Sequence, residues 1–256
     1  MIKAAFFDID GTILKIHENR ISERCAAALN TLQENGTKIF LSTGRPLAAV
    51  PIFENVRFDG ILCFNGQLYC EHGKTVFELS LDPRDVNQII VNIHALPVKK
   101  GIVLCNAAGL ACDTLDDNLI RYMNHAMEPD QKAFSQKKNE TLYQIIVGMN
   151  HSEQEQILKN TSSSKIVYWC EYGLDIIPKE GGKDEGMRKV ARLYDIRPDE
   201  TIAFGDGLND LPMIRAAGIG VAMENGYDAL KQEADFVTKS VDDEGVEFAL
   251  KYFHLI

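Results

Sequence analysis

The chain opens on an apolar run, residues 2–7, that stops at two carboxylates spaced two apart, Asp8 and Asp10, followed by Gly11 and Thr12. Such a run predicts a buried strand, and open α/β sheets place their chemistry at the carboxyl ends of their strands. Within a strand the two acids would point to opposite faces; where the strand becomes a loop, both can reach one site. The plain alternative is a solvated acidic turn punctuated by Gly11, so the rest of the chain must decide. Ser22 is placed as the N-cap of a helix whose apolar face carries Leu29 and Leu32 and which Gly36 stops. Residues 38–41 form a second short apolar strand ending in Ser42-Thr43-Gly44-Arg45-Pro46, and Pro46 suits the first turn of a further helix. The first 50 residues thus read strand–helix–strand–helix, which predicts parallel strands joined by right-handed crossovers.

The rhythm then changes twice. Residues 61–64 lead into Asn65-Gly66, a strong hairpin signal, and a second turn at His72-Gly73-Lys74 leads into residues 75–77. Asp82-Pro83 starts a helix with Val86, Ile89, Ile90 and Ile93 at helical spacing. Up to Pro178, strand candidates (102–105, 142–147, 165–170 and 174–177) alternate with modest helices (115–127 and 152–159), separated by polar stretches such as 135–140. From Gly181 the first rhythm resumes: a helix over 183–194, then an apolar strand over 201–204 ending in Gly205-Asp206-Gly207-Leu208-Asn209-Asp210. A helix, a strand over 219–222, a helix over 227–233, a strand at 236–237 and a closing helix to Tyr252 follow. The expectation is an α/β protein: a doubly wound parallel sheet built from residues 1–82 and 180–256, with an α+β domain, residues 83–179, inserted into it.

Bulk properties narrow the function. A length of 256 residues suits one large or two modest domains. A net charge of −10 argues against binding nucleic acid or an anionic membrane, since no basic surplus exists to neutralise phosphates. No apolar run approaches membrane-spanning length, and Met1-Ile2-Lys3-Ala4 leads straight into the first strand, leaving no room for a signal peptide. The six cysteines, Cys25, Cys63, Cys70, Cys105, Cys112 and Cys170, are scattered without zinc spacing, so reduced thiols in a cytoplasmic protein are expected.

Three strand ends now carry polar clusters: Asp8 with Asp10, Ser42 with Thr43, and Asp206 with Asn209 and Asp210. On one edge of one sheet the carboxylates would repel strongly; a hard divalent cation makes the cluster tolerable, and Mg²⁺ takes few protein oxygens while leaving room for a phosphate. Lys183, at a helix start after two glycines, adds a positive charge suited to a phosphate oxygen, and amides around Gly11 and Gly44 could cradle others. An acid-lined phosphate site without a Walker loop points to a carboxylate nucleophile: Asp8 would form an aspartyl-phosphate, and Asp10 would protonate the leaving alkoxide and then deprotonate water.

Asp8-Ile9-Asp10-Gly11-Thr12, Ser42-Thr43-Gly44-Arg45-Pro46, Lys183 and Gly205-Asp206-Gly207-Leu208-Asn209-Asp210 resemble, in order, the four motifs of the haloacid dehalogenase superfamily. The chain is similar more narrowly to its Cof-type sugar-phosphatase branch, which carries a cap inserted between the second and third motifs; the tail, including Ala222-Met223-Glu224-Asn225-Gly226, is similar too. The resemblance implies a Rossmann-like core and a Mg²⁺-dependent phosphatase of small phosphomonoesters, sugar phosphates above all. It implies Asp8 as nucleophile and metal ligand, Asp10 as acid/base offering the metal its backbone carbonyl, and Asp206 and Asp210 in the metal shell. Ile9, Lys183 and Asn209 would bind phosphate together with Ser42 or Thr43, of which Thr43 is favoured. Arg45, Asn65 and Gly66 are candidates for substrate contact, and Asp175, Tyr168, Trp169 and Tyr172 for lining a sugar pocket. One departure stands out: the family usually has glycine directly after the motif lysine, whereas here Lys183-Asp184-Glu185-Gly186 sets two acids beside it, which keeps Lys179 open as an alternative. A phosphosugar mutase and a non-catalytic phosphosugar-binding protein are the rival functions. A transport ATPase is disfavoured, for want of membrane spans and because that class has a non-acidic residue where Asp10 stands. The expected partner is a small phosphate ester, and the expected state a monomer or weak homodimer.

Overall fold

The computed structural model describes residues 1–16, 18–123, 129–149 and 154–256. They form two compact units, one from Met1–Gly44, Pro51–Phe77 and Lys183–Ile256, the other from Arg45–Val50 and Glu78–Gly182.

The first unit is built on β1 (Ala4–Phe7), all four residues of which are fully buried. A strand covered on both faces has no polar side to show, which is why its sequence is continuously apolar instead of alternating. β1 runs parallel to β2 (Lys38–Ser42) on one side and to β11 (Thr201–Gly205) on the other, Phe6 lying level with Phe40 and Ala203. β12 (Ile219–Ala222) and β13 (Phe236–Val237) extend the sheet beyond β11; β3 (Gly60–Cys63), β4 (Leu68–Glu71) and β5 (Lys74–Glu78) extend it beyond β2. The order of the eight strands is β13-β12-β11-β1-β2-β3-β4-β5, with β4 antiparallel to β3. The chain winds outward from β1 in both directions, so the topological switch point, where open sheets hold their ligands, lies between β1 and β11.

Helices cover both faces. α1 (Glu23–Glu34) is capped by Ser22, whose hydroxyl accepts from the Cys25 amide at 3.0 Å, and ends where Gly36 turns left-handed at φ 90°. It packs with α9 (Gly245–Tyr252). On the other face, α6 (Lys183–Leu193), α7 (Leu211–Ala216) and α8 (Asp228–Glu233) bury Met187, Val190, Met213, Ile214 and Leu230 in a cluster with Phe6, Phe40, Leu62 and Ala203.

The second unit has its own five-stranded antiparallel sheet. Its strands are β6 (Ile102–Asn106), β7 (Gly109–Cys112), β8 (Gln144–Val147), β9 (Ser164–Val167) and β10 (Leu174–Pro178), in the order β7-β6-β8-β10-β9. α2 (Pro83–His94), capped by Asp82, drops Val86, Ile89, Ile90 and Ile93 onto Ile102, Leu104, Ile145, Val147, Leu174 and Ile176. Among the described residues it also holds three shorter helices: α3 (Asp117–Met123), α4 (Phe134–Lys137) and α5 (Gln154–Ile157). The chain is thus an α/β protein with a mostly parallel core sheet and a separate inserted antiparallel sheet.

Some local expectations change. Pro46 opens only a short 3-10 turn, Leu47–Ala49, with no buried residue; no apolar stripe runs through it, and Pro51 lies just beyond. β7 was not expected: Asn106 makes its turn, its Oδ1 accepting the amides of Ala108 and Gly109 at 3.0 and 3.1 Å. The polar stretch 135–140 holds most of α4, and the strand expected over 165–170 stops at Val167. Residues 124–127 and 152–153 of the two expected cap helices lie outside the described residues. All six cysteines are buried and unbridged, and no helix among the described residues is long and apolar enough to cross a membrane.

Candidate active site

Asp8 follows β1 directly and its amide still bonds to Phe204 O at 3.0 Å, so it belongs to the carboxyl edge of the sheet. The chain then folds into a tight turn in which Ile9 O accepts the amides of Thr12, Ile13 and Leu14. Asp10 sits half-buried in that turn. Gly11 has φ +80°, and a Cβ there would lie 2.4 Å from Asp206 Oδ2; only glycine lets the acidic turn and the end of β11 approach so closely. Across this gap Thr12 Oγ1 donates to Asp206 Oδ1 at 2.9 Å, and Asn225 Nδ2 donates to Gly11 O at 2.9 Å.

Carboxylate oxygens of Asp8, Asp206 and Asp210 come within 4.8 Å of one another. Among the described residues, the ammonium bonded to the cluster is Lys183, the first residue of α6, whose Nζ lies 2.5 Å from Asp8 Oδ1 and 2.6 Å from Asp210 Oδ1. Asp210 is wholly buried, and its other oxygen accepts the amides of Asp206 and Gly207 at 3.1 and 2.9 Å. Both its oxygens are therefore engaged by the protein, which makes it a brace for the loop and the lysine.

Burial, opposed by the ammonium of Lys183 and reinforced by Asp210 and Asp10, pushes the Asp8 carboxyl up to about 7. Burial also drives Asp206 well above the usual carboxylate range, and the charges of Asp8 and Asp210 add to it. For Lys183, burial disfavours the charge, but Asp210 and Asp8 outweigh it and hold the ammonium above the ordinary lysine range. Burial first, and the neighbouring carboxylates after it, thus raise the proton affinities of Asp8 and Asp206. All-oxygen donors with uncompensated charge suit a hard divalent cation, and the cluster is a candidate metal site on that ground.

The departure at the lysine motif is resolved locally. Asp184 and Glu185 each bond to Arg188 Nη1 at 2.7 Å, one turn further along α6, so a cation answers their charge on the helix itself. The displaced glycine, Gly186, is where α6 meets the β3–β4 turn: a Cβ there would lie 2.9 Å from Gly66 Cα.

The other candidates separate. Ser42 Oγ is buried without a hydrogen-bond partner, while Thr43, one residue past β2, bonds through its amide to Leu62 O at 2.8 Å. Asn209 Nδ2 donates to Asn65 Oδ1 at 2.9 Å. Arg45 donates to Ala49 O at 2.8 Å, inside the segment that groups with the second unit. In that unit Asp175 is buried and accepts from the Tyr122 hydroxyl, the Trp169 ring stands edge-on to Tyr122, and Tyr168 packs against the apolar core. Asn225 and Arg188 were not anticipated. Arg188 was within reach, since its spacing from Asp184 and Glu185 is that of helix neighbours; Asn225 gave no local signal of reaching Gly11.

A family model described as haloacid dehalogenase-like hydrolase matches residues 5–250. The Bacillus subtilis protein named "Putative phosphatase YkrA" is 30% identical over 99% of this chain and 98% of its own. Among solved structures, the phosphatase BT1666 of Bacteroides thetaiotaomicron superposes with a TM-score of 0.88 at 27% identity, covering 100% of this chain and 96% of that one. The subclass IIB sugar phosphatase BT4131 superposes with a TM-score of 0.88 at 26% identity, covering 99% of this chain and 100% of the other.

Proposed function

The chain belongs to the haloacid dehalogenase-like hydrolases and is a phosphatase of that superfamily; from that premise we propose that it is Mg²⁺-dependent and hydrolyses small phosphomonoesters, sugar phosphates foremost, through an aspartyl-phosphate on Asp8. The observation that carries this reading is the Lys183 ammonium bonded at once to Asp8 and Asp210 at the switch point of the sheet, with Asp206 alongside.

In the first half-reaction an oxygen of Asp8 attacks phosphorus, the P–O bond to the leaving group breaks, and Asp10 donates a proton to the departing alkoxide. In the second, Asp10 takes a proton from water as the water oxygen attacks the same phosphorus; the bond to Asp8 breaks and inorganic phosphate leaves. Lys183 keeps Asp8 oriented and presents positive charge to the phosphoryl oxygens. Thr43 supplies the phosphate hydroxyl in preference to Ser42, whose strand position puts it on the same face as Phe40, level with Leu62. Any part Ile9 plays falls to its amide, since its carbonyl is used within the turn.

Mg²⁺ would be held by Asp8 and Asp206 together with the backbone carbonyl of Asp10, with Asp210 bracing the loop from behind. Bound there, it offsets the repulsion between an anionic nucleophile and a dianionic phosphate. The sugar-phosphate preference rests on the likeness to BT4131. Hydrolysis of p-nitrophenyl phosphate with Mg²⁺ and with chelator tests the chemistry, and a panel of phosphorylated metabolites ranked by kcat/KM tests the substrate class. Turnover retained in Asp8→Asn, or indifferent to chelator, would falsify the mechanism.

A further inference from the structure

The turn between β3 and β4 carries three successive residues in the left-handed region, Phe64 (φ 52°), Asn65 (φ 58°) and Gly66 (φ 89°). An Asn-Gly pair accounts for such a turn on backbone grounds alone, and the carboxamide of such an Asn can then point into solvent. Here it does not: Asn65 is 1% exposed.

Its groups instead reach the segments that carry the candidate chemistry. The Asn65 amide donates to Thr43 O at 2.9 Å, its carbonyl accepts from Gln67 Nε2 at 3.1 Å, and its Oδ1 accepts from Asn209 Nδ2 at 2.9 Å. The next residue, Gly66, is the surface on which the first turn of α6, the helix begun by Lys183, is seated. One buried turn therefore ties together the strand end bearing Thr43, the helix bearing Lys183 and the loop bearing Asn209.

The bond to Asn209 has a directional consequence. A carboxamide is planar and its nitrogen carries two protons. Asn209 Oδ1 is turned toward Gly207, where a Cβ would come within 2.5 Å of it. With one Nδ2 proton committed to Asn65, the direction of the other is fixed. Resting on the phosphatase reading above, we propose that Asn65 is a positioning residue: it holds the Asn209 carboxamide so that the second Nδ2 proton is presented to the phosphoryl group transferred at Asp8. Asn65 itself does not meet the substrate.

Asn65→Gly removes the acceptor while leaving a residue that adopts a left-handed φ without strain. It is compared with Asn209→Ala and with the double variant. The expected result is a fall in kcat of about tenfold to a hundredfold in Asn65→Gly, with KM little changed and the thermal midpoint lowered by no more than a few degrees. In the Asn209→Ala background, Asn65→Gly adds no further loss, because the two residues act as a unit. Unchanged kcat in Asn65→Gly, a loss confined to KM, or additive losses in the double variant overturn the proposal. A second arm needs no turnover. With ¹⁵N-asparagine labelling, the side-chain amide pair of Asn209, assigned by its disappearance in Asn209→Ala, shifts in Asn65→Gly; an unmoved pair overturns the proposal. A wild-type protein that turns over no phosphate ester in Mg²⁺ would sink the phosphatase reading instead, and the labelled amide would then decide the Asn65–Asn209 bond on its own.

Discussion

Nζ of Lys183 and Oδ1 of Asp8 lie 2.5 Å apart, with the lysine side chain wholly enclosed and the carboxylate only 11% exposed. Neither charge has water to fall back on, so each depends on the other and on Asp210. Breaking one side of such a buried pair leaves the remaining charges uncompensated, at a cost of about 3–5 kcal/mol. Lys183→Ala is therefore expected to lose stability on that scale in urea unfolding and to lower kcat/KM on p-nitrophenyl phosphate by about a hundredfold or more. A variant that stays fully stable and active would place the phosphate lysine elsewhere.

Without divalent metal, the contribution of the Asp8 site to stability is expected to fall as pH rises from about 4 to about 7. The Asp8 carboxyl has a folded value of about 7 against 3.8 for an ordinary aspartate, so in that window this group binds more protons in the folded chain than in the unfolded one. Asp206 is raised too and acts with the same sign. Lys183, raised in its turn, is charged in both states throughout the window and adds no slope. A cation competes with those protons, so Mg²⁺ should raise the thermal midpoint more at pH 8 than at pH 5. Thermal scans with Mg²⁺ and with chelator read this directly, and an Mg²⁺ effect equal at both pH values would contradict it.

Asp10→Asn is expected to keep the fold and to discriminate between leaving groups. p-Nitrophenolate leaves without being protonated, whereas a sugar alkoxide does not. Loss of the general acid should therefore cost about 10²–10⁴-fold on a sugar phosphate in the first half-reaction and much less in p-nitrophenol release. Burst kinetics with the two esters compare them; equal losses in that step would deny Asp10 the acid role.

Gly11→Ala asks an L-residue to hold φ +80° and puts a methyl 2.4 Å from Asp206 Oδ2. The backbone strain costs about 1–2 kcal/mol, and Asp206 must give way. Weakened Mg²⁺ affinity, measured as the concentration giving half-maximal activity, should accompany the lost stability. A purely structural effect would lower stability and leave the Mg²⁺ requirement where it was.

The candidate site was legible in the sequence where a local pattern sufficed. Apolar strands ending in Asp8, Ser42 and Asp206 announce themselves, because a strand buried on both faces is apolar up to the residue where it emerges. The inserted unit was visible as a change of rhythm, and α2 as an apolar stripe behind an Asp-Pro start. What stayed hidden depended on tertiary register. Asn65 reads as half of a tight turn whether or not its side chain reaches Asn209, 144 positions away. Asn225 reaches Gly11 across 214 positions. β7 is four residues long, and its turn is made by the Asn106 side chain, so neither length nor a Gly/Pro pair marked it. Pro46 misled in the opposite sense: it can begin a helix, but no apolar face followed to hold one.

The six buried thiols give the molecule an internal clock. Burial raises every one of them, Cys25 to about 12 and Cys170 to about 11, so the reactive thiolate is disfavoured while the structure is closed. Cys25, Cys63 and Cys70 lie in the unit that carries Asp8; Cys105, Cys112 and Cys170 lie in the inserted one. The rate at which an alkylating reagent reaches each trio therefore times the opening of each unit separately. A substrate, a metal ion or a mutation that steadies one sheet and not the other will show itself as one trio slowing while the other keeps its pace.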